Sequence, residues 1–443
     1  MNAVRTIDVT KAKKKKKTAS FFGVLLAFVI LYNIVPITAQ LVSDYLSTYL
    51  YMALVVLVFA IVLLSGGMEN LLKFLLLLLP FILYEALTFA FKTDTTVMWG
   101  YQVLLELLPV LIGFYLLKKN PTSIPFLQKV VFYLLVITAL TSFWGLLRYP
   151  LAARALASLD TSSPMLRVYN YSNIGGYNFI YTLVLMYPIL ILAHKQKKIG
   201  RLPTLLGMVA IFVLVILSEY TTALLFVVFS SLFLIFKRTL KKWHILLIGL
   251  VSVLSFFLFA SLISRLFLWL GNVIQSEVLS ERLIALAGGR ASLEVSEDKR
   301  LFFYGASLEA FLKSPLYGSI FQGYSGGGHS FLLDALANAG LLGGAVVFFI
   351  YRSIYRNFFL PYHNQSTFGY AFWAFVQAIL LSLVNTGAWF WVLCCFIPIF
   401  LAWIYPPVEA PLEQPNPEST KGQQKSGNMP LPNSRPSLPR RRI

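Results

Sequence analysis

The chain has 443 residues, 58% of them hydrophobic and 12% charged, against roughly 45–50% and about 25% in soluble domains, which excludes an ordinary soluble enzyme. Apolar runs of about twenty residues, each long enough to cross a hydrocarbon core of roughly 30 Å, recur along it, and the alternating ten-residue segments of a membrane barrel are missing. The net charge of +19 does not indicate nucleic acid as a partner, because its clusters, Lys11–Lys17 and Arg440–Arg442, lie outside the apolar body, where basic clusters meet anionic headgroups or set topology.

In chain order, residues 1–19 read as a basic cytoplasmic segment. The first apolar run ends in VPITAQ, which resembles a cleavage site, but the spans that follow favour an uncleaved signal-anchor. Residues 20–405 read as an all-α polytopic membrane domain of about twelve transmembrane helices. The spans fall near 20–39, 49–66, 71–91, 99–117, 124–147, 176–193, 203–219, 221–236, 244–270, 330–351, 366–384 and 387–405. With both termini cytoplasmic, 27 of the 37 basic residues fall on the inner side, the orientation that the positive-inside rule favours. Both long loops, about 148–175 and 271–329, are then external. Loops beyond roughly fifteen residues in a compact body are functional or disordered. The second contains VIQSEVLSERLIALAGG, patterned for a helix lying on the membrane. The inner connections are short, so function is expected on the outer face. Cys394 and Cys395 are adjacent in an apolar run and point apart on a helix, which argues against a disulfide. From 406 to 443 the chain holds nine of its 21 prolines and reads as a disordered cytoplasmic tail. No internal repeat is visible.

The stretch from Arg300 to Gly343 concentrates the polar complexity. Leu301, Tyr304, Leu308 and Leu312 recur at helical spacing and predict an amphipathic helix, which Lys313, Ser314 and Pro315 end, since the residue before a proline leaves the helical region. Gly326–Gly328 then deliver His329 to a long apolar helix with Ser330 as its N-cap. The other histidines, His194, His244 and His363, fall at inner helix ends and read as interfacial. A histidine at the positive end of a helix, near loop arginines, suits an anionic substrate; a helix-start residue bonded to its own loop is the alternative. The outer loops carry Arg148, Arg154, Arg167, Arg282, Arg290 and Arg300, each able to grip phosphate oxygens with a planar fork. Ion pairing explains Arg282 beside Glu281 and Arg300 beside Glu297 and Asp298 equally well, and Arg148 fits a headgroup anchor. Glu85, Glu106, Glu219, Arg265 and Asp334 lie within or at the edges of spans, where charge is costly; interhelical salt bridges are the favoured reading. Asp334 follows His329 by five residues, about 140° round a helix, so the two form no dyad. No Walker loop, HExxH or Cys/His cluster occurs, so no metal and no cofactor are expected. No acidic pair of the kind that anchors metal in nucleotide-sugar transferases stands in the inner loops. An enzyme here would draw on an activated donor already in the membrane.

HSFLLDALANAGLLG, with His329, Ser330, nine further residues, then Gly340 and Gly343, resembles the signature of the O-antigen ligase and Wzy-type O-antigen and capsular polysaccharide polymerase superfamily. FLKSPLYG at Phe311–Gly318 resembles that superfamily's Pro-Leu-x-Gly approach, and Arg300 matches an arginine it usually carries. RVYNYSNIGGYNF resembles its Arg…Asn segment and places Arg167 and Asn173 as candidates. One departure is that Ser218-Glu219 stands where many relatives carry Ser-Arg. The resemblance implies a metal-independent glycosyltransferase of the membrane-embedded, lipid-donor (GT-C-like) architecture, acting on undecaprenyl-diphosphate-linked oligosaccharide as donor and acceptor. On that basis His329 would position or deprotonate the acceptor hydroxyl and Arg300 would stabilise the leaving diphosphate. Arg167, Arg154, Arg290, Arg282, Asn173 and Ser330 would bind lipid diphosphate and glycan. The expected setting is the outer face of the bacterial plasma membrane, in capsule, exopolysaccharide or O-antigen assembly, with membrane lipid, a flippase and a chain-length regulator as partners and no nucleic acid. A polymerase is preferred to a ligase that transfers finished glycan. A lipid-linked oligosaccharide flippase is the rival from another class, which would show midplane charges and repeat symmetry.

Overall fold

The structure, a computed structural model, describes residues 22–32, 34–45, 48–65, 99–150, 152–158, 163–235, 293–319, 330–387 and 389–405, with isolated positions between 79 and 86 and between 246 and 280. All regular structure among the described residues is helical. The helices are α1 (Phe22–Tyr32), α2 (Pro36–Tyr45), α3 (Thr48–Ser65), α4 (Trp99–Lys118), α5 (Ile124–Arg148), α6 (Ala152–Ser158), α7 (Pro164–Tyr171), α8 (Tyr177–Lys195), α9 (Arg201–Leu217), α10 (Thr221–Ile235), α11 (Leu293–Lys313), α12 (Phe331–Ile354), α13 (Phe368–Val384) and α14 (Ile397–Ile404). They occupy every predicted span except those near 71–91 and 244–270, which lie largely outside the described residues, as does the tail from 406.

Among the described residues three helical stretches, against the twelve spans expected, are long and apolar enough to cross a membrane: Pro121–Arg148, Tyr177–Lys195 and Phe331–Tyr362. The first predicted span is not one rod. Helices Phe22–Tyr32 and Pro36–Val42 meet at 107°, because Pro36 has no N–H to continue a helix and instead starts the next one. Other apolar helices, among them α9 and α13 at 17 residues each, sit at the lower limit of bilayer-spanning length.

Burial separates inside from outside. The apolar window of α8 is 78% buried, that of α5 only 28%, although both are long and apolar enough to cross a membrane. Helix α8 packs against α9, α10, α13 and α14, as a helix apolar all round should. On α5 the buried stripe, Leu127, Val131, Leu135, Thr138, Ser142 and Leu146, recurs every third or fourth residue. Its opposite face exposes Phe132, Tyr133, Val136, Ile137, Leu140 and Trp144. Two polar hydroxyls face the protein while large apolar groups face outward, which is the order a lipid solvent imposes.

Helix α11 corrects the expected pattern. Leu308 and Leu312 are 50% and 64% exposed, and the face turned against α12 holds Ser307, Ala310 and Ser314. Small residues let two backbones approach, and close approach is what binds helices where lipid tails are as apolar as leucine. The helix ends at Lys313, before Pro315, as the sequence predicts.

Candidate functional site

The start of α12 is built tightly. Ser330 is its N-cap with extended backbone (φ −142°, ψ 116°), and its Oγ accepts from the Leu333 N–H at 3.0 Å. In return the Ser330 N–H donates to Asp334 Oδ2 at 3.0 Å, a reciprocal arrangement like a capping box displaced by one residue. The other carboxylate oxygen of Asp334 accepts from Ser307 Oγ of α11 at 2.7 Å. Asp334 thus joins α11 to the backbone beside His329. The loop after α13 closes the other side: the Phe331 N–H donates to the Asn385 carbonyl at 2.9 Å, and Tyr304 Oη of α11 donates to the Val384 carbonyl at 2.8 Å.

Below this cap α12 is broken at Ala339 (φ −137°, ψ 18°) and Gly340 (φ 58°, ψ −147°). The turn after α11 fills the break. Leu341 N–H donates to the Pro315 carbonyl at 2.7 Å, and Ser319 N–H to the Ala337 carbonyl at 2.9 Å. A Cβ on Gly340 would lie 2.5 Å from the Pro315 oxygen, and one on Gly318 (φ 60°) 2.5 Å from the Ala339 nitrogen. Each glycine is therefore required twice, for its left-handed backbone and for the approach of the opposing chain. Pro315–Gly318 and Gly340–Gly343, the ends of two of the stretches on which the resemblance rests, form a single interlocked unit.

The first of the two loops expected on the outer side contains α6 and α7, neither foreseen from the sequence. It is tied down by Asn173, left-handed at φ 50° and 4% exposed. Its Oδ1 accepts from the Ile37 N–H at 3.2 Å, and its Nδ2 donates to Thr138 Oγ1 at 2.9 Å and Thr141 Oγ1 at 3.1 Å. The Asn173 carboxamide, expected to meet substrate, is thus committed to joining α2, α5 and α7. Arg167 is exposed on α7. Nearby, Tyr171 Oη donates to Asp44 Oδ2 and Gln40 Nε2 to Asp44 Oδ1 at 2.9 Å. Those hydrogen bonds, with the Arg167 charge, hold the Asp44 carboxyl below the usual carboxylate range, while the bond to Asp44 pushes the Tyr171 hydroxyl up. Asp44 was not singled out by sequence reasoning; it becomes relevant only because α2 packs on α7.

Arg154 is exposed on α6, and its neighbour's carbonyl, that of Ala153, accepts from Tyr220 Oη at 2.6 Å. Tyr220 follows Glu219, which is 2% exposed and left-handed at φ 61°. Burial pushes the Tyr220 hydroxyl well above its ordinary value, and the Arg154 charge partly offsets this. Tyr220 belongs to an aromatic cluster with Tyr177 and Tyr181 of α8 and Trp389 of the loop after α13. Ring centroids lie 4.7 Å apart for Tyr177–Tyr181, 5.7 Å for Tyr177–Tyr220 and 5.3 Å for Tyr181–Trp389. This cluster was missed. Its only trace in the sequence is YNFIY at a helix start and NTGAWF after a helix end, both on the predicted outer side.

The loop after α13 therefore holds the first residue of α12 through Asn385 and contributes Trp389 to the aromatic cluster, which α6 reaches through the Ala153–Tyr220 bond. Asn173 joins the same end through Tyr177, four residues on. Ser330 uses its hydroxyl as a cap and is fully buried. Arg300 stands on α11; His329, Arg282 and Arg290 lie outside the described residues. Two of the histidines expected at inner helix ends meet turn carbonyls, His194 Nδ1 that of Ile199 at 3.3 Å and His363 Nδ1 that of Leu360 at 2.8 Å. Among the described residues no group of three His, Cys, Asp or Glu side chains is placed to hold a metal. Comparison with protein-family models, with curated proteins and with solved structures finds no match.

Proposed function

We propose that the chain is a polysaccharide polymerase of the bacterial plasma membrane, a twelve-span, GT-C-like glycosyltransferase joining undecaprenyl-diphosphate-linked oligosaccharide repeats on the outer face. The observation that carries this reading is the interlock of Pro315–Gly318 with the Gly340 break. Two separately recognised segments of the resembled signature depend on one another physically, on the helix whose cap His329 immediately precedes in the sequence. Asp334 does not act as a dyad partner in this scheme; it sets the Ser330 backbone and so positions its neighbour.

The chemistry follows from charge. A hydroxyl of the acceptor glycan attacks the anomeric carbon of the donor, the bond to the lipid diphosphate breaks, and negative charge develops on the leaving group. His329, with an unperturbed pKa near neutrality, takes or orients the hydroxyl proton, and arginines stabilise the diphosphate. The substitution of Glu219 for the family's arginine is met by Arg154, whose helix docks on Tyr220, the next residue. Membrane lipid, a flippase and a chain-length regulator are the partners of this reading, with both termini cytoplasmic.

The test is His329→Ala in a strain lacking its own copy, at equal membrane expression, with lipid-linked and polymerised glycan resolved by size. Single lipid-linked repeats should accumulate on the outer face and long chains should vanish. Finished chains that stay on the lipid would make the protein a ligase, repeats trapped inside a flippase, and unchanged long glycan would remove His329 from the mechanism.

A further inference from the structure

The aromatic cluster has a construction that packing alone does not explain. Tyr177 and Tyr220 are half-buried and form a rim, whereas Tyr181 and Trp389 are 2% and 7% exposed and form a floor. In that floor the Trp389 indole N–H finds no acceptor among the described residues, and neither does the Asn385 carboxamide nitrogen, on a side chain 7% exposed and four residues earlier. A buried N–H without an acceptor is costly, and two on one short loop are not expected of a merely structural turn. Trp389 is moreover left-handed at φ 58°, an outlier for a bulky residue of the kind that concentrates at binding sites. The loop holding both donors is the one that pairs with the first residue of α12.

We infer that Tyr177, Tyr181, Tyr220, Trp389 and Asn385 form a sugar subsite, in which a pyranose ring lies against the aromatic rim and its oxygens accept from the Trp389 and Asn385 N–H groups, with Arg154 at the edge. This rests on the proposed polymerase reading and names where the glycan, as distinct from its diphosphate, is held. Ring faces joined to a few placed polar groups are the usual make-up of a small-ligand site, and N–H donors need oxygen acceptors. A polyprenyl chain has no oxygen to offer along its length. A diphosphate calls for converging cations, and the cluster's floor is neutral.

The test uses the full-length protein in nanodiscs, with the oligosaccharide repeat released by mild acid from the host's own lipid carrier as probe, and binding read by calorimetry. Wild type should bind the probe. Trp389→Phe, which keeps a ring and removes only the N–H, and Asn385→Asp, which replaces donor by acceptor, should each bind at least ten-fold more weakly with an unchanged unfolding temperature. In cells both should shorten the modal glycan length. Wild-type affinity in either folded variant overturns the subsite, as does displacement of the oligosaccharide by inorganic pyrophosphate. Loss of long glycan in His329→Ala with binding intact in the Trp389 and Asn385 variants would sink the subsite alone. Unchanged glycan in His329→Ala would sink the polymerase reading whatever the binding shows.

Discussion

Gly340 and Asn173 illustrate how single residues hold this end of the molecule, by opposite means. Gly340 works through what it lacks. Gly340→Ala forces a Cβ to within 2.6 Å of three backbone atoms of Pro315 and Leu316 in a region of φ, ψ open almost only to glycine, a loss of about 3 kcal/mol or more. Thermal unfolding in detergent should show it, and Gly305→Ala is the control. Nothing lies within 4 Å of that added methyl, and mid-helix alanine gains about 0.5–1 kcal/mol over glycine. Asn173 works through what it carries. Asn173→Ala leaves the Ile37 N–H without the Oδ1 acceptor and removes the donor to the two threonine hydroxyls on α5, and should cost about 1–3 kcal/mol. Its contribution is to stability, so glycan yield per folded molecule is expected to stay within about two-fold of wild type. The Ser330 cap is the milder case: Ser330→Ala should lower stability by about 1 kcal/mol.

Among the elements, α2 and α7 are held together by exposed polar contacts, so their link should respond to pH. The Asp44 pKa is depressed in the folded chain, by the Tyr171 and Gln40 hydrogen bonds and then by Arg167. The contribution is therefore complete above the ordinary carboxylate value of about 3.9 and is lost as pH falls through the depressed one. Tyr171→Phe removes the largest cause, so hydrogen exchange in α7 should accelerate at a higher pH than in wild type. Equal onset in both would show that the contact does not hold α7. Helix positions were largely legible in the sequence, because runs such as 124–147 and 176–193 have no other stable form in lipid. Which face of a helix turns inward was not. Leu308 and Leu312 of α11 point outward because periodicity locates an apolar stripe but cannot tell a lipid-facing stripe from a protein-facing one. The 107° bend after Tyr32 was not foreseen, and Pro36 is its one local trace in the sequence.

Across the whole molecule, the orientation predicted from basic residues makes a direct claim about access. A membrane-impermeant maleimide should label Arg167→Cys in intact cells and Lys198→Cys only after permeabilisation. The native Cys394 and Cys395, both fully buried, should stay unlabelled in either case; the reverse pattern would place the aromatic cluster and Ser330 on the inner side. Composition and hydropathy by themselves determined the solvent of this protein, its helical class and its helix stops, since a backbone in hydrocarbon must satisfy its own hydrogen bonds. The order of motifs also marked the start of α12 and its cap, because capping is a local contract between neighbours. Only the tertiary structure decided which distant residues meet. It joined Pro315 to Gly340, spent Asn173 on the scaffold, set Arg154 beside the residue after Glu219, and closed Tyr177, Tyr181, Tyr220 and Trp389 into one cluster. Those contacts depend on how helices rotate and cross in a medium that rewards close packing rather than apolarity, and no single stretch of the chain records that choice.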